Sequence, residues 1–271
     1  MSKTVLITGA STGIGKATAV LFQQRGWNVA ATMRSPDPDI LSNLENLLCL
    51  RLDVTEPASI QQAINQTLQQ FNSIDVVVNN AGYGVLGVFE ACSANKIEQQ
   101  FATNVFGLMD VTKAILPHFR HQGHGIILNI SSIGGRTTVP FYSLYHSTKW
   151  AIEGFSESLH YELKPFNIKI KIIEPGLIKT DFYSRSADVV TDPNLTVYDS
   201  LVKKIIPQLE KQGNNGSPPE VVAEVIYKAA TDGSWKLRYP AGGNAGIVLF
   251  LRKLLPESIF ISLVRKLFIG E

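Results

Sequence analysis

The sequence predicts a single α/β domain built on a doubly wound parallel sheet. Three observations predict it. Short runs rich in Val, Ile and Leu alternate with longer stretches that carry apolar residues at helical spacing, from residue 3 to residue 175. Several of the short runs are apolar on both sides, the pattern of strands covered by helices on both faces. A glycine cluster, TGASTGIG at residues 8–15, lies between the first strand and the first helix, where open sheets of this kind bind ligands.

The elements follow in order. KTVLIT (3–8) is β-branched, apolar and ended by glycine, so it reads as a buried strand. GIGKATAVLFQQRG (13–26) is a helix stopped by Gly26. WNVAATM (27–33) and LLCLRLDV (47–54) are the second and third strands. PASIQQAINQTLQQF (57–71) is an amphipathic helix that starts on proline, where a missing N–H costs least. IDVVVNN (74–80) is the fourth strand, and a helical stretch from about 95 to 120 leads to the fifth, GIILNISS (125–132). A helix over about 142–163 precedes the sixth strand, IKIKIIEP (168–175). Residues 180–217 break the rhythm: they are polar, hold Pro193 and Pro207, and read as a mobile lid insertion. WKLRYPAGG (235–243) can form a last strand, and 244–271 is an apolar C-terminal extension. No Pro-, Gly- or Ser-rich linker divides the chain and no repeat is visible, so residues 1–271 form one domain.

Composition narrows the function classes. With 45% hydrophobic residues there is ample material for a core. The 25 basic and 23 acidic residues give a net charge of +2 without a block of like sign, so nothing points to nucleic acid. Cys49 and Cys92 lie in unrelated contexts, which fits a reducing, cytoplasmic setting. His118, His121 and His124 make no metal spacing, and no metal is expected. The N-terminus reaches a strand within ten residues, leaving no room for a cleaved signal. No apolar run is long enough to span a bilayer.

The glycine cluster suits a dinucleotide. Gly9 permits the tight turn, Gly13 lets backbone approach a pyrophosphate, and Gly15 allows close packing of helix on strand. The spacing is G-x3-G-x-G, and its weight comes from opening a βαβ unit. At the end of the second strand an acid would accept from a ribose 2′-OH and repel a 2′-phosphate. Here Met33 takes that place and Arg34 follows, so NADP(H) is preferred and NAD(H) remains possible. A solvated loop position is the plain alternative for Arg34. Asp53 can accept from an adenine amino group or cap the following helix.

The chemistry rests on three positions. Ser132 ends the fifth strand, Tyr145 lies 13 positions later, and Lys149 is one turn beyond, on the same helix face. A phenol titrates near ~10 and is a poor acid at neutrality, and an ammonium beside it is expected to lower that value. Ser132 can hold a substrate oxygen. Asn104 could hold a water that relays the proton. His146 is expected to pack and take no part in the chemistry.

TGASTGIG, NNAG (79–82), TNVFG, NISS, YHSTK (145–149) and PGLIKT (175–180) occur here in the order and spacing of a known family. Over residues 3–182 the chain resembles the short-chain dehydrogenases/reductases, a family with a Rossmann fold. The resemblance implies a catalytic tetrad of Asn104, Ser132, Tyr145 and Lys149. Tyr145 would be the acid/base, and Lys149 would also hold the nicotinamide ribose. It implies cofactor contacts from Ser11, Thr12, Ile14, Val54, Asn80, Ala81, Gly82, Pro175, Gly176, Ile178 and Thr180. Thr12 stands where many members carry a basic residue, which puts more weight on Arg34.

NNAGYGVLGVFE and STKWAIEGFSESL are most similar to the steroid- and retinol-type reductases of that family. They imply a bulky lipophilic carbonyl or alcohol. Ser132, Gly134, Phe141, Tyr145, Phe182 and Tyr183 are the expected substrate contacts, with an apolar and aromatic character. Interconversion of a carbonyl and a primary or secondary alcohol is therefore expected. A sensor that binds NADP(H) without turnover, or an isomerase or dehydratase on the same fold, are the rival readings. A homo-oligomer is also expected. The tail fits a lid or an oligomer contact, since Pro256 breaks it. The pairs Arg252–Lys253 and Arg265–Lys266 would also suit peripheral contact with an anionic membrane.

Overall fold

Seven parallel strands make one sheet in the order β3-β2-β1-β4-β6-β7-β9. They are β1 (Thr4–Thr8), β2 (Asn28–Met33), β3 (Leu47–Arg51), β4 (Val76–Asn79), β6 (Gly125–Ile130), β7 (Ile168–Pro175) and β9 (Arg238–Ala241). A small parallel pair is made by β5 (Gly84–Gly87) and β8 (Ala187–Val190). The computed structural model describes residues 2–37, 41, 45–179 and 187–270. The fold class expected from sequence, a doubly wound α/β domain of the Rossmann type, is the one observed. Because the sheet strands are parallel, their carboxyl ends share one edge. The strand order reverses between β1 and β4, the switch point at which such sheets open a crevice.

Side-chain alternation divides the core in two. Val5 and Ile7 of β1 face α1 (Gly13–Gln24) and α7 (Pro219–Thr231), where Phe22 meets Val222 and Ile226. Leu6 faces α2 (Pro57–Phe71), α4 (Gly107–Gln122) and α5 (Ser143–Leu163), where Ile64, Ile115, Phe119 and Leu163 are buried. Phe22 and Phe119 are completely shielded from solvent. Each contributes on the order of 1.5–3 kcal/mol by leaving water.

Local chemistry sets the boundaries. Pro57 opens α2 at a position that needs no N–H partner, and Asn72 closes it in the left-handed conformation, at φ 66°. The stretch expected as one helix over 95–120 is α3 (Ala94–Phe101), a π turn (Ala102–Phe106) and α4. Such π turns widen the ladder and recur at functional sites. Asn104 lies on this one.

Three segments carry elements to which the sequence pattern gives no bounds. Helix α7 follows directly on the polar GNNGSPPE stretch: Pro219 opens it, and Val222, Ala223, Ile226, Ala229 and Ala230 share its buried face. The insertion at 180–217 contains β8 and helix α6 (Asp199–Asn214). Ile205 and Leu209 of α6 pack on Tyr142 and Phe268. Its charges and Pro207 hide that stripe in the sequence. The tail forms α8 (Ala245–Leu254) and α9 (Glu257–Phe268), divided at Pro256. Among the described residues no helix is long and apolar enough to cross a membrane.

Candidate active site

The carboxyl ends of the central strands open on one cavity of about 1520 Å³. Its first wall is the turn between β1 and α1. Gly9 and Gly13 adopt φ of 68° and 53°, the left-handed region that favours glycine. A Cβ on Gly15 would lie 2.2 Å from the Gly9 carbonyl oxygen and 2.5 Å from Asn80 Nδ2. Close packing is thus what Gly15 provides, and its partner is the turn itself and not the strand. Asn80 Nδ2 donates to the carbonyls of Thr8 (2.9 Å) and Gly9 (3.0 Å), tying the loop after β4 to the turn after β1. The backbone N–H groups of Asn80 and Ala81 both donate to Thr8 Oγ1.

Helix α1 begins at Gly13, and its N-cap Thr12 makes no side-chain cap bond. The first-turn amides and the positive end of the helix dipole therefore face the cavity, beside Ser11, Thr12 and Ile14. This arrangement fits a dinucleotide pyrophosphate. Arg34, Asp53, Val54, Ala81 and Gly82 continue the same wall. Met33, at 2% exposure, leaves no acid at the end of β2. Asp53 does not cap α2, whose N-cap is Glu56. It accepts instead from the backbone N–H (2.9 Å) and hydroxyl (2.7 Å) of Thr55. Burial alone would raise its carboxyl, but the Thr55 hydrogen bonds and the charges of Arg34 and Arg51 outweigh burial and hold it below the ordinary value.

The second wall holds the expected catalytic set. Ser132 Oγ accepts from Gly134 N–H at 3.0 Å, and the Tyr145 hydroxyl is hydrogen-bonded to Ser132. Lys149 is on the same face of α5, with Nζ 5.7 Å from the centre of the Tyr145 ring. Its ammonium donates to the Ile130 carbonyl at 2.8 Å. Burial pulls Lys149 down to about 8, partly opposed by the carboxylate of Glu153.

The Tyr145 value, expected to lie below that of an ordinary phenol, lies above it. The phenol is pushed up to about 12 by burial, with the Ser132 hydrogen bond acting the other way.

The Asn104 side chain is engaged by Tyr83 and Thr148. It is 2% exposed, and its Nδ2 donates to the Tyr83 carbonyl (2.9 Å) and Thr148 Oγ1 (3.1 Å). Its Oδ1 accepts from Tyr83 N–H at 3.1 Å, so the side chain braces Tyr83 and does not reach into the cavity. Gln100, unnoticed in the sequence, holds the same Tyr83 carbonyl at 2.7 Å.

His146 packs as expected and also ties the loop that follows Ser132. Nε2 accepts from Val139 N–H at 3.1 Å, which leaves Nδ1–H to donate to the Gly134 carbonyl at 3.0 Å. Burial drives its value down to about 4 and keeps the ring neutral.

The third wall is apolar. Gly134 lies on it as expected, with Val139 and Tyr142. Phe141 does not. It has a φ of 66°, packs against the cluster of Tyr142, Leu209 and Phe268, and lines a neighbouring pocket with Phe89 and Tyr198. Thr180, Phe182 and Tyr183 lie outside the described residues. Pro175, Gly176 and Ile178 line the cavity after β7. The roof comes from the tail: Val248 and Leu251 of α8, and Phe260, Val264 and Phe268 of α9. The extension therefore covers the cavity, as one of its expected uses required. Among the described residues no cluster could hold a metal ion.

A parallel sheet with a glycine turn at its switch point and a Ser–Tyr–Lys set at its carboxyl edge defines a dinucleotide-dependent oxidoreductase. The chain belongs to the short-chain dehydrogenase family, whose model matches residues 3–191. It is 37% identical to a 3-ketodihydrosphingosine reductase of Bacteroides thetaiotaomicron, over 83% of this chain and 82% of that one. A solved short-chain dehydrogenase from Streptomyces avermitilis superposes with a TM-score of 0.82 at 31% identity, covering 100% of this chain and 97% of its own. ElxO with NADP bound superposes with a TM-score of 0.73 at 29% identity, over 89% of this chain and 98% of that one.

Proposed function

We propose that the protein is an NADP(H)-dependent reductase that interconverts an apolar carbonyl and its alcohol. The observation that carries this reading is the hydrogen-bonded Ser132–Tyr145 pair in a cavity with a polar wall at α1 and an apolar roof at α9. Ser132 and Tyr145 together hold the carbonyl oxygen. As negative charge grows on that oxygen, Tyr145 gives it the hydroxyl proton. Bound NADPH supplies the hydride. The buried ammonium of Lys149 favours the phenolate that remains. A Tyr145 value of about 12 keeps the phenol protonated at neutral pH, which is the form reduction requires. Arg34 at the rim supports selection of a 2′-phosphate, in agreement with NADP on ElxO.

The sphingosine-type substrate named for the Bacteroides relative and the apolar roof both support a bulky lipophilic substrate. The reading extends to a homo-oligomer, for which exposed Phe106 and Trp150 offer apolar surface, and to a reducing, cytoplasmic setting with both cysteines as free thiols.

The test is single-turnover NADPH oxidation across a panel of long-chain ketones and aldehydes, with NADH in parallel and cofactor affinity taken separately by fluorescence. The parent should turn over, and Tyr145→Phe should lose roughly 10²–10⁴-fold in rate with NADPH binding nearly intact. NADPH binding without turnover of any carbonyl would favour the sensor reading. Substrate conversion without net NADPH consumption would favour an isomerase or dehydratase.

A further inference from the structure

Helix α8 turns apolar side chains to solvent. Ile247, Phe250, Leu251 and Leu254 follow the i, i+3, i+4, i+7 spacing of one helix face, and they are 64%, 62%, 37% and 64% exposed. Ala245 and Leu249 point the other way and are buried. On α9 the stripe Ile259, Leu263 and Leu267 is also about half exposed, beside the inward stripe Phe260, Val264 and Phe268. Isolated exposed apolar residues are ordinary, whereas a contiguous patch on two successive helices marks a contact surface. Lys253, Arg265 and Lys266 are exposed on the same two helices, Lys266 flanking the α9 stripe, and an Arg252–Glu257 ion pair at 3.0 Å links the helices.

We propose that this face lies on an anionic lipid surface and that the cavity opens onto it. Two observations favour lipid over a second copy of the chain. A symmetric dimer would bring the same patch of both copies together. It would then set one net-positive patch against another, whereas an anionic membrane attracts the basic residues. Leu251, Leu263 and Leu267 are at once exposed and part of the cavity lining, so a partner protein on this face would close the mouth. Helices of ten and twelve residues are too short to span. They are suited to lie in the interface with apolar faces down and basic side chains reaching the headgroups. A lipid-borne carbonyl would then pass between α8 and α9 to Ser132 and Tyr145 without crossing water. That last step rests on the proposed reductase reading, and the docking does not.

The experiment is flotation of the whole protein with vesicles of phosphatidylcholine alone or mixed with phosphatidylserine. The protein should float with the mixed vesicles, less with phosphatidylcholine alone, and less again at high salt. Phe250→Asp with Leu254→Asp, neither of which lines the cavity, should lower the bound fraction at least about tenfold. Burial of one such side chain is already worth more than a tenfold step. An unchanged melting temperature shows that the variant is folded. Lys253→Glu with Lys266→Glu should abolish the preference for anionic vesicles. Absence of flotation with mixed vesicles would overturn the proposal, and so would a dimer in solution that Phe250→Asp with Leu254→Asp dissociates. Flotation reads no turnover, so its failure would leave the reductase reading untouched.

Discussion

Replacing Lys149 by Met should make the cofactor-free protein more stable at pH 7. Lys149 is 7% exposed, and burial takes its ammonium from an ordinary 10.5 down to about 8. That difference is worth about 3 kcal/mol. The native state carries it as a penalty whenever the lysine is charged in both states. The substitution also removes the charged hydrogen bond to the Ile130 carbonyl, at a cost of about 1.5–3 kcal/mol. Methionine refills the stem volume with flexible apolar atoms. The net gain is at most about 1.5 kcal/mol, enough to raise the melting temperature by a few degrees.

The sign can be followed with pH. The folded value lies below the unfolded one, so the unfolded chain binds more protons between about 8 and 10.5 and stability rises with pH there. The penalty is complete below about 8 and has been relieved by about 10.5, where parent and variant should converge apart from the lost hydrogen bond. Urea unfolding at pH 7, 9 and 10.5, followed by tryptophan fluorescence, measures it. A variant no more stable than the parent at neutral pH would refute the reasoning, as would a gain that stays constant to the alkaline end.

Three further outcomes are expected. Arg34→Ala should weaken NADPH binding by about 1.5–3 kcal/mol with little effect on NADH, measured by cofactor fluorescence titration; equal losses for both would remove Arg34 from the phosphate. Gly15→Ala should cost about 1–3 kcal/mol of stability or more and weaken cofactor binding, because its Cβ meets the Gly9 carbonyl, which is backbone and cannot swing aside. Glu174 is pushed up to about 7, mainly by burial and then by Glu153, against the pull of Arg136 and Arg238. A raised carboxyl contributes its full stability below the ordinary 4.5 and loses it as pH passes about 7. Glu174→Gln should therefore match the parent near pH 5 and exceed it at pH 8, and the opposite order in urea midpoints would contradict this assignment.

The strands and the glycine turn were legible because their physics is local. Val5, Leu6 and Ile7 are buried on opposite faces whatever lies beyond them, and Gly9 meets its backbone requirement within four residues. Tyr145 and Lys149 share a face by helical spacing alone. What stayed hidden depends on partners distant in sequence. The direction of the Tyr145 value is set by how deeply the phenol is buried, and no spacing states that. The side-chain partners of Asn104, Tyr83 and Thr148, lie 21 and 44 residues away in the chain. Phe141 read as a pocket aromatic, yet it packs against Tyr142, Leu209 and Phe268 and lines a neighbouring pocket. Helix α7 was the exception, a local signal overlooked because the preceding GNNGSPPE reads as loop. Tail residues reveal neither the cavity they roof nor the side left bare until the sheet edge is in place.

His146 closes a mechanical ring around the chemistry. From Ser132 the chain runs two residues to Gly134, crosses a hydrogen bond to the imidazole, steps back one residue to Tyr145 and returns through the phenol to Ser132. The separation of the two hydroxyls is therefore fixed by a short circuit of covalent links and hydrogen bonds, with the bond from Val139 bracing the ring from outside. Breathing of distant helices can carry this circuit as a unit but has little leverage to open it. The imidazole stays neutral down to about pH 4. The clasp thus keeps its donor and acceptor assignment through the range in which a solvated histidine would change charge.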